Sequence, residues 1–273
     1  MEAATEAVRR AGVCKVAVDG QTLRVAIRPG EGTGTPLLLM NGIGVSLELF
    51  HPLVEALDPA LEIIRFDAPG VGGSPLPTFP HCYSTLATLV AHMLDTLGYR
   101  QVDVLGVSWG GGLAQQFAMQ YRNRCRRLIL ASTATGMFMI PGRLSVLAHM
   151  MTPWRYMEPS YMEKIAPDLY GGDLRENPAF THELAGIMHS DDPVGYCYQL
   201  MATVGWTSLP WLMFLRQRTL ILAGDDDRLV PLANAKILKK LIPRSTLYIF
   251  HGGHLGLLTH AQELGSAVER FLA

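Results

Sequence analysis

Gly106-Val107-Ser108-Trp109-Gly110 sets one serine between two glycines at a spacing suited to covalent catalysis. In the pattern G-x-S-x-G the serine sits on a strained strand-to-helix turn that lifts its hydroxyl clear of the sheet. Five residues alone are a common coincidence, so the flanks decide. Val102 to Val107 reads as a buried strand and Gly111 to Tyr121 as a helix, the context the motif requires. A serine hydroxyl needs a base, and the base needs an orienting acid; with such a turn they follow in the order serine, acid, histidine. Thr219-Leu220-Ile221-Leu222-Ala223 is a strand leading into three aspartates. Asp227 is selected because it directly precedes Arg228 and the Leu229-Val230-Pro231 that opens the next helix. Asp225 and Asp226 read as turn formers or supporting groups and stay open as alternatives. After the last strand comes His251-Gly252-Gly253-His254. His254 is the expected base, since two glycines let the chain double back over the serine, and His251 is the alternative. His51, His81 and His260 read as surface or cap residues.

A serine that attacks a carbonyl also needs donors for the oxygen that becomes negative. The backbone N–H of Trp109 is one. The other is assigned to Ile43 in Asn41-Gly42-Ile43-Gly44, the loop after Pro36-Leu37-Leu38-Leu39-Met40. Asn41 and Gly42 are expected to meet substrate there, together with Trp206 and Trp211. Asp67 to Ser74 is glycine-rich but lacks the G-x-G-x-x-G spacing of a dinucleotide site, so it reads as a structural loop beside the serine. No H-E-x-x-H or comparable ligand cluster occurs, and neither a metal nor a cofactor is expected.

The elements that must hold these residues alternate. Val16 to Ile27 is a hairpin turning at Asp19-Gly20. The continuous apolar run Pro36 to Met40 suits a strand buried on both faces, and Leu61 to Phe66, Val102 to Val107 and Arg126 to Ala131 read as further strands. Leu47 to Leu57, Ser84 to Leu97, Ala233 to Leu241 and Gln262 to Leu272 read as helices. The expected fold is α/β: a mostly parallel, doubly wound sheet with a helical cap inserted after the sixth strand. Residues 1–135 and 216–273 form the core and 136–215 the cap. The cap segment is rich in methionine and aromatic residues, Met137, Met150, Tyr170 and Trp206 among them. Such side chains fill irregular cores, or they line an apolar trough for substrate.

The 273 residues carry 23 Lys plus Arg against 24 Asp plus Glu, a formal net charge of −1, which argues against nucleic acid as a partner. Mean hydropathy is +0.19, yet no run approaches the roughly 18 apolar residues of a membrane span. Cys14, Cys82, Cys125 and Cys197 are too scattered for a disulfide scaffold or metal cluster. They read as reduced thiols, with the cytoplasm as the expected compartment. Arg9-Arg10 is not followed by the apolar stretch of a twin-arginine signal.

Over essentially its whole length the chain resembles the α/β-hydrolase superfamily, and at finer grain the intracellular medium-chain-length poly(3-hydroxyalkanoate) depolymerases. The resemblance lies in Asp19 to Thr22, Asn41 to Gly44, Val54 to Pro59, Phe66 to Ser74 and Gly106 to Ala118. It continues in Ile165-Ala166-Pro167-Asp168-Leu169-Tyr170-Gly171-Gly172, Gly205 to Ser208 and Leu222 to Asp227. It implies Ser108, Asp227 and His254 as a catalytic triad and an insoluble aliphatic polyester or other hydrophobic ester as substrate. It also implies a polymer-granule surface as a partner. One departure is His251-Gly252, where that family leads one to expect acidic residues before the final Gly-His. The alternatives within enzymes are a small-molecule carboxylesterase or lipase-like enzyme and a C–C bond hydrolase. Haloalkane dehalogenases and epoxide hydrolases are disfavoured because they need Asp where this chain has Ser108. A binding module of the same fold usually loses a triad member, and none is missing here.

Overall fold

Strands form where β-branched and leucine residues run together, and the pleat then sends alternate side chains to opposite faces. The computed structural model describes residues 12–31, 34–152, 154–177, 181, 182, 184, 188 and 193–273. Arg9-Arg10 lies outside the described residues. The chain runs β1 (Val13–Val18), β2 (Gln21–Arg28), β3 (Leu37–Met40), α1 (His51–Ala56), β4 (Ile63–Phe66), α2 (Tyr83–Thr96), β5 (Val102–Val107), α3 (Trp109–Gln120) and β6 (Cys125–Ala131). The cap contributes α4 (Leu144–Met150), α5 (Trp154–Met157), α6 (Pro159–Tyr170), α7 (Asp173–Glu176) and α8 (Pro193–Thr203). There follow β7 (Arg218–Gly224), α9 (Leu232–Leu241), β8 (Ser245–Phe250), α10 (Gly256–Thr259) and α11 (Ala261–Leu272).

Among the described residues eight strands make one sheet in the order β1-β2-β4-β3-β5-β6-β7-β8. β2 runs antiparallel to β1 and β4, and every other pairing is parallel. Asp19 and Gly20 both take positive φ, +50° and +75°, as a tight hairpin turn with right-handed strand twist demands. Leu38, Met40, Val104, Leu128 and Leu130 face one layer with α2, α3 and α9. Leu37, Leu39, Leu105, Ile129 and Leu222 face the other, with α1 and α11. The expected helix from Leu47 to Leu57 divides into a 3-10 turn, Leu47–Phe50, and α1. Pro52 explains the division, because proline has no N–H to continue a ladder and sits best in a first turn.

Strand order reverses at β3 and β5: from β3 the chain moves outward to β4, then returns to the other side for β5. A crevice opens beyond the carboxyl ends of strands at such a point. The cap leaves and rejoins the sheet layer through a paired neck over this crevice. There Met137 N donates to Trp206 O at 2.9 Å and Ser208 N to Thr135 O at 3.0 Å.

Candidate active site

β5 ends by delivering Ser108 at φ +53°, ψ −116°, a conformation that costs an L-residue on the order of 1–3 kcal/mol. The turn is over-determined. Ser108 N donates to Ala131 O at 2.9 Å, and Thr133 Oγ1 donates to Ser108 O at 2.7 Å. Gly110 lets α3 start flush against β3, since a Cβ there would lie 2.2 Å from the Met40 carbonyl oxygen. Trp109 is the first residue of α3, so its N–H has no acceptor within the helix and lies at the helix's positive end.

The three aspartates after β7 have three separate partners. Asp225 Oδ2 lies 2.9 Å from His251 Nδ1, on a pair whose imidazole is 94% exposed. Asp226 accepts the Gly172 N–H at 2.7 Å and an Arg175 N–H, tying the cap down. Asp227 Oδ2 lies 2.8 Å from His254 Nδ1, with both side chains buried, and its Oδ1 accepts the N–H groups of Leu229 and Val230 at 3.0 and 2.8 Å. The acceptor at Nδ1 makes that nitrogen the donor, so Nε2 carries the lone pair. His251, which replaces an expected acidic residue, points to solvent instead of the crevice.

Ser108 and His254 meet at a cavity of about 30 Å³ that Gly42 and Ile43 also line; this is room for water. On its other side Ser108 opens, with Trp109 and Ile43, into a cavity of about 500 Å³. Met137, Met139, Met150, Met151, Leu200 and Trp206 supply much of that wall. The methionines of the cap therefore divide, since Met162 and Met188 are buried in the core. Trp206 lines the large cavity, whereas Trp211 packs behind it with ring centroids 6.2 Å apart. Asn41 turns its amide inward: Nδ2 donates to Ser46 O, and Oδ1 accepts the Gly42 N–H at 3.0 Å. Asp67 is fully buried and accepts the N–H groups of Leu47 and Gly73 at 2.7 and 2.8 Å, a structural loop that burial makes harder to ionise. His51 is exposed. His81 is half-buried in a crevice with Trp109, and burial lowers its pKa. His260 bonds Asp173 of the cap through Nε2 at 2.9 Å. Phe180 and the side chain of Tyr156, also in the aromatic-rich segment, lie outside the described residues.

Sequence reasoning missed Gln199 and Arg155, and left Tyr170 between core filler and trough wall. Gln199, buried on α8, accepts the Gly44 N–H through Oε1 at 2.5 Å, and its carbonyl accepts the Trp109 indole N–H at 2.8 Å. It thus holds both loops to which the oxyanion donors were assigned. A lone amide in the run from Tyr196 to Ala202 was the available signal. Tyr170 and Arg155, both buried, approach His254 from the cap.

The family described as alpha/beta hydrolase fold matches residues 35–261. A poly(3-hydroxyalkanoate) depolymerase of Ectopseudomonas oleovorans is 50% identical over 257 residues, covering 94% of this chain and 91% of that protein. A 2-hydroxymuconate semialdehyde hydrolase of Pseudomonas putida is 28% identical over 89% of each chain. Among solved structures, the enol-lactonase from Burkholderia xenovorans LB400 superposes with a TM-score of 0.83 at 22% identity, covering 95% of this chain and 99% of its own.

Proposed function

The chain belongs to the alpha/beta hydrolase fold family, and on that premise we propose that it is a serine carboxylester hydrolase depolymerising medium-chain-length poly(3-hydroxyalkanoate). The observation that carries this is the buried Asp227–His254 pair meeting Ser108 at a small cavity, with Ser108 opening on its other side into a large cavity walled by methionine and tryptophan. The depolymerase that is 50% identical supports the polyester as substrate. So does the cap's outer surface, where Phe138, Leu144, Met151, Trp154 and Val204 are all exposed. Met151 and Val204 also line the cavity, so apolar surface continues from the mouth inward.

His254 Nε2 takes the Ser108 proton as Oγ bonds to the ester carbonyl carbon. Asp227 keeps the proton on Nδ1 and stabilises the imidazolium that forms. The tetrahedral oxyanion accepts the N–H groups of Trp109 and Ile43. Its collapse breaks the C–O bond, and the hydroxyl end of the polymer leaves with the proton from His254. Water then gives a proton to His254 and attacks the acyl-enzyme, releasing a hydroxyacyl product and restoring Ser108.

Turbidity of an amorphous medium-chain polyhydroxyalkanoate suspension tests this, with wild type and Ser108→Ala side by side. Clearing by the wild type alone is expected. Absence of clearing while soluble p-nitrophenyl esters are still cleaved would leave the serine mechanism and remove the polyester.

A further inference from the structure

We propose that the cap segment Tyr170-Gly171-Gly172 is the positioning element of the Asp227–His254 pair, so that part of the catalytic scaffold lies in the cap and not in the sheet. This role rests on the serine-hydrolase function proposed above. A hydrogen bond from Nδ1 to Asp227 fixes one point of the imidazole and leaves the ring free to tilt about it. Two contacts from Tyr170 remove that freedom. The Tyr170 carbonyl accepts the His254 backbone N–H at 2.8 Å. Its ring stacks on the imidazole, with centroids 5.9 Å apart and planes 16° from parallel. The phenol is itself anchored, because its OH accepts from Arg155 Nη1 at 3.1 Å and Arg155 Nη2 also donates to the Tyr196 OH at 3.3 Å.

The two glycines bring this platform into backbone contact with both catalytic loops. Gly171 and Gly172 take φ +68° and +55°. A Cβ on Gly172 would stand 2.2 Å from Gly253 N, and one on Gly253 would stand 2.3 Å from Tyr170 O. The Gly172 N–H donates to Asp226, one residue before the acid, and Asp226 N donates to Gly252 O at 3.0 Å, two residues before the base. Cap, acid loop and base loop are therefore locked at one junction. The Tyr-Gly-Gly end of the cap motif, which carries no reacting group, acquires a use: it sets the plane and height of Nε2 over Ser108. A displacement of about 1 Å at such a base can cost about 100-fold in rate.

The test compares Tyr170→Leu and Tyr170→Phe with wild type on a soluble p-nitrophenyl ester, with kcat normalised to the fraction labelled by a fluorophosphonate. Tyr170→Leu is expected to lower kcat about 10- to 100-fold with KM changed less than about twofold. Tyr170→Phe, which keeps ring and carbonyl, is expected to restore most of the rate. A Leu variant within twofold of wild-type kcat, or a Phe variant as impaired as Leu, overturns the proposal. Wild-type protein supplies a readout that needs no variant. The His254 amide, held by the Tyr170 carbonyl, should exchange slowly with deuterium, and exchange at the rate of an open loop overturns the brace. Failure of the serine-hydrolase function itself would look different, since wild type would then show no hydrolysis that Ser108→Ala abolishes.

Discussion

At the scale of single residues, Ser108 combines reactivity with strain. Removing its hydroxyl is expected to cost several orders of magnitude in turnover, and the replacement decides what happens to stability. At φ +53° a Cβ is unfavourable, so Ser108→Gly should be more stable than Ser108→Ala by about 1 kcal/mol. Thermal denaturation of the two inactive variants measures the difference, and equal melting temperatures would mean the turn is relaxed. His251 offers a second check. Its hydrogen bond to Asp225 favours the imidazolium and raises its pKa, while the same contact lowers that of Asp225. A raised histidine contributes stability fully below its ordinary value, about 6.5, and loses it as pH rises through the folded value. A lowered aspartate contributes above its ordinary value and loses it as pH falls. The pair therefore acts from mildly acidic to neutral pH. NMR titration should find the His251 midpoint above its ordinary value of about 6.5, and lower in Asp225→Asn than in wild type. The choice among the three aspartates was legible only as register before Arg228. Their separate partners depend on the folded loops.

At the scale of elements, the strands were legible because a parallel sheet covered on both faces needs mostly apolar runs, as in Leu37–Met40, or in Val102–Val107 with Asp103 its one charged residue. The start of α3 was less so: a helix expected from Gly111 begins at Trp109, because Gly110 and its glycine neighbours carry little helix propensity. Helix α8 shows the same limit more sharply. Its value to the site lies in Gln199, whose partners Gly44 and Trp109 stand 155 and 90 residues away in sequence. Gln199→Leu removes the side-chain acceptor of the partly buried Gly44 N–H, at a cost of about 1 kcal/mol, and loosens the loop that carries Ile43. We expect kcat on a soluble ester to fall about tenfold, within the range of losing part of an oxyanion site. An unchanged kcat would separate Gln199 from that loop's function.

At the scale of the whole molecule, the exposed apolar side chains of the cap lie on the same part of the chain that walls the large cavity. Attachment to a polyester surface through such side chains should persist at high salt, because salt screens charges and does not weaken apolar burial. Adsorption of Ser108→Ala to amorphous polymer particles should therefore survive 1 M salt and weaken in Leu144→Asp with Trp154→Asp. Adsorption abolished by salt alone would point to charge. By itself the sequence determined the strands, the serine of the G-x-S-x-G turn and the order of serine, acid and histidine, because each is written in local periodicity or a short motif. Only the tertiary structure decided which cap residues reach the site. Tyr170, Arg155 and Gln199 act through contacts between segments far apart in the chain, and no local pattern records a contact made across a fold.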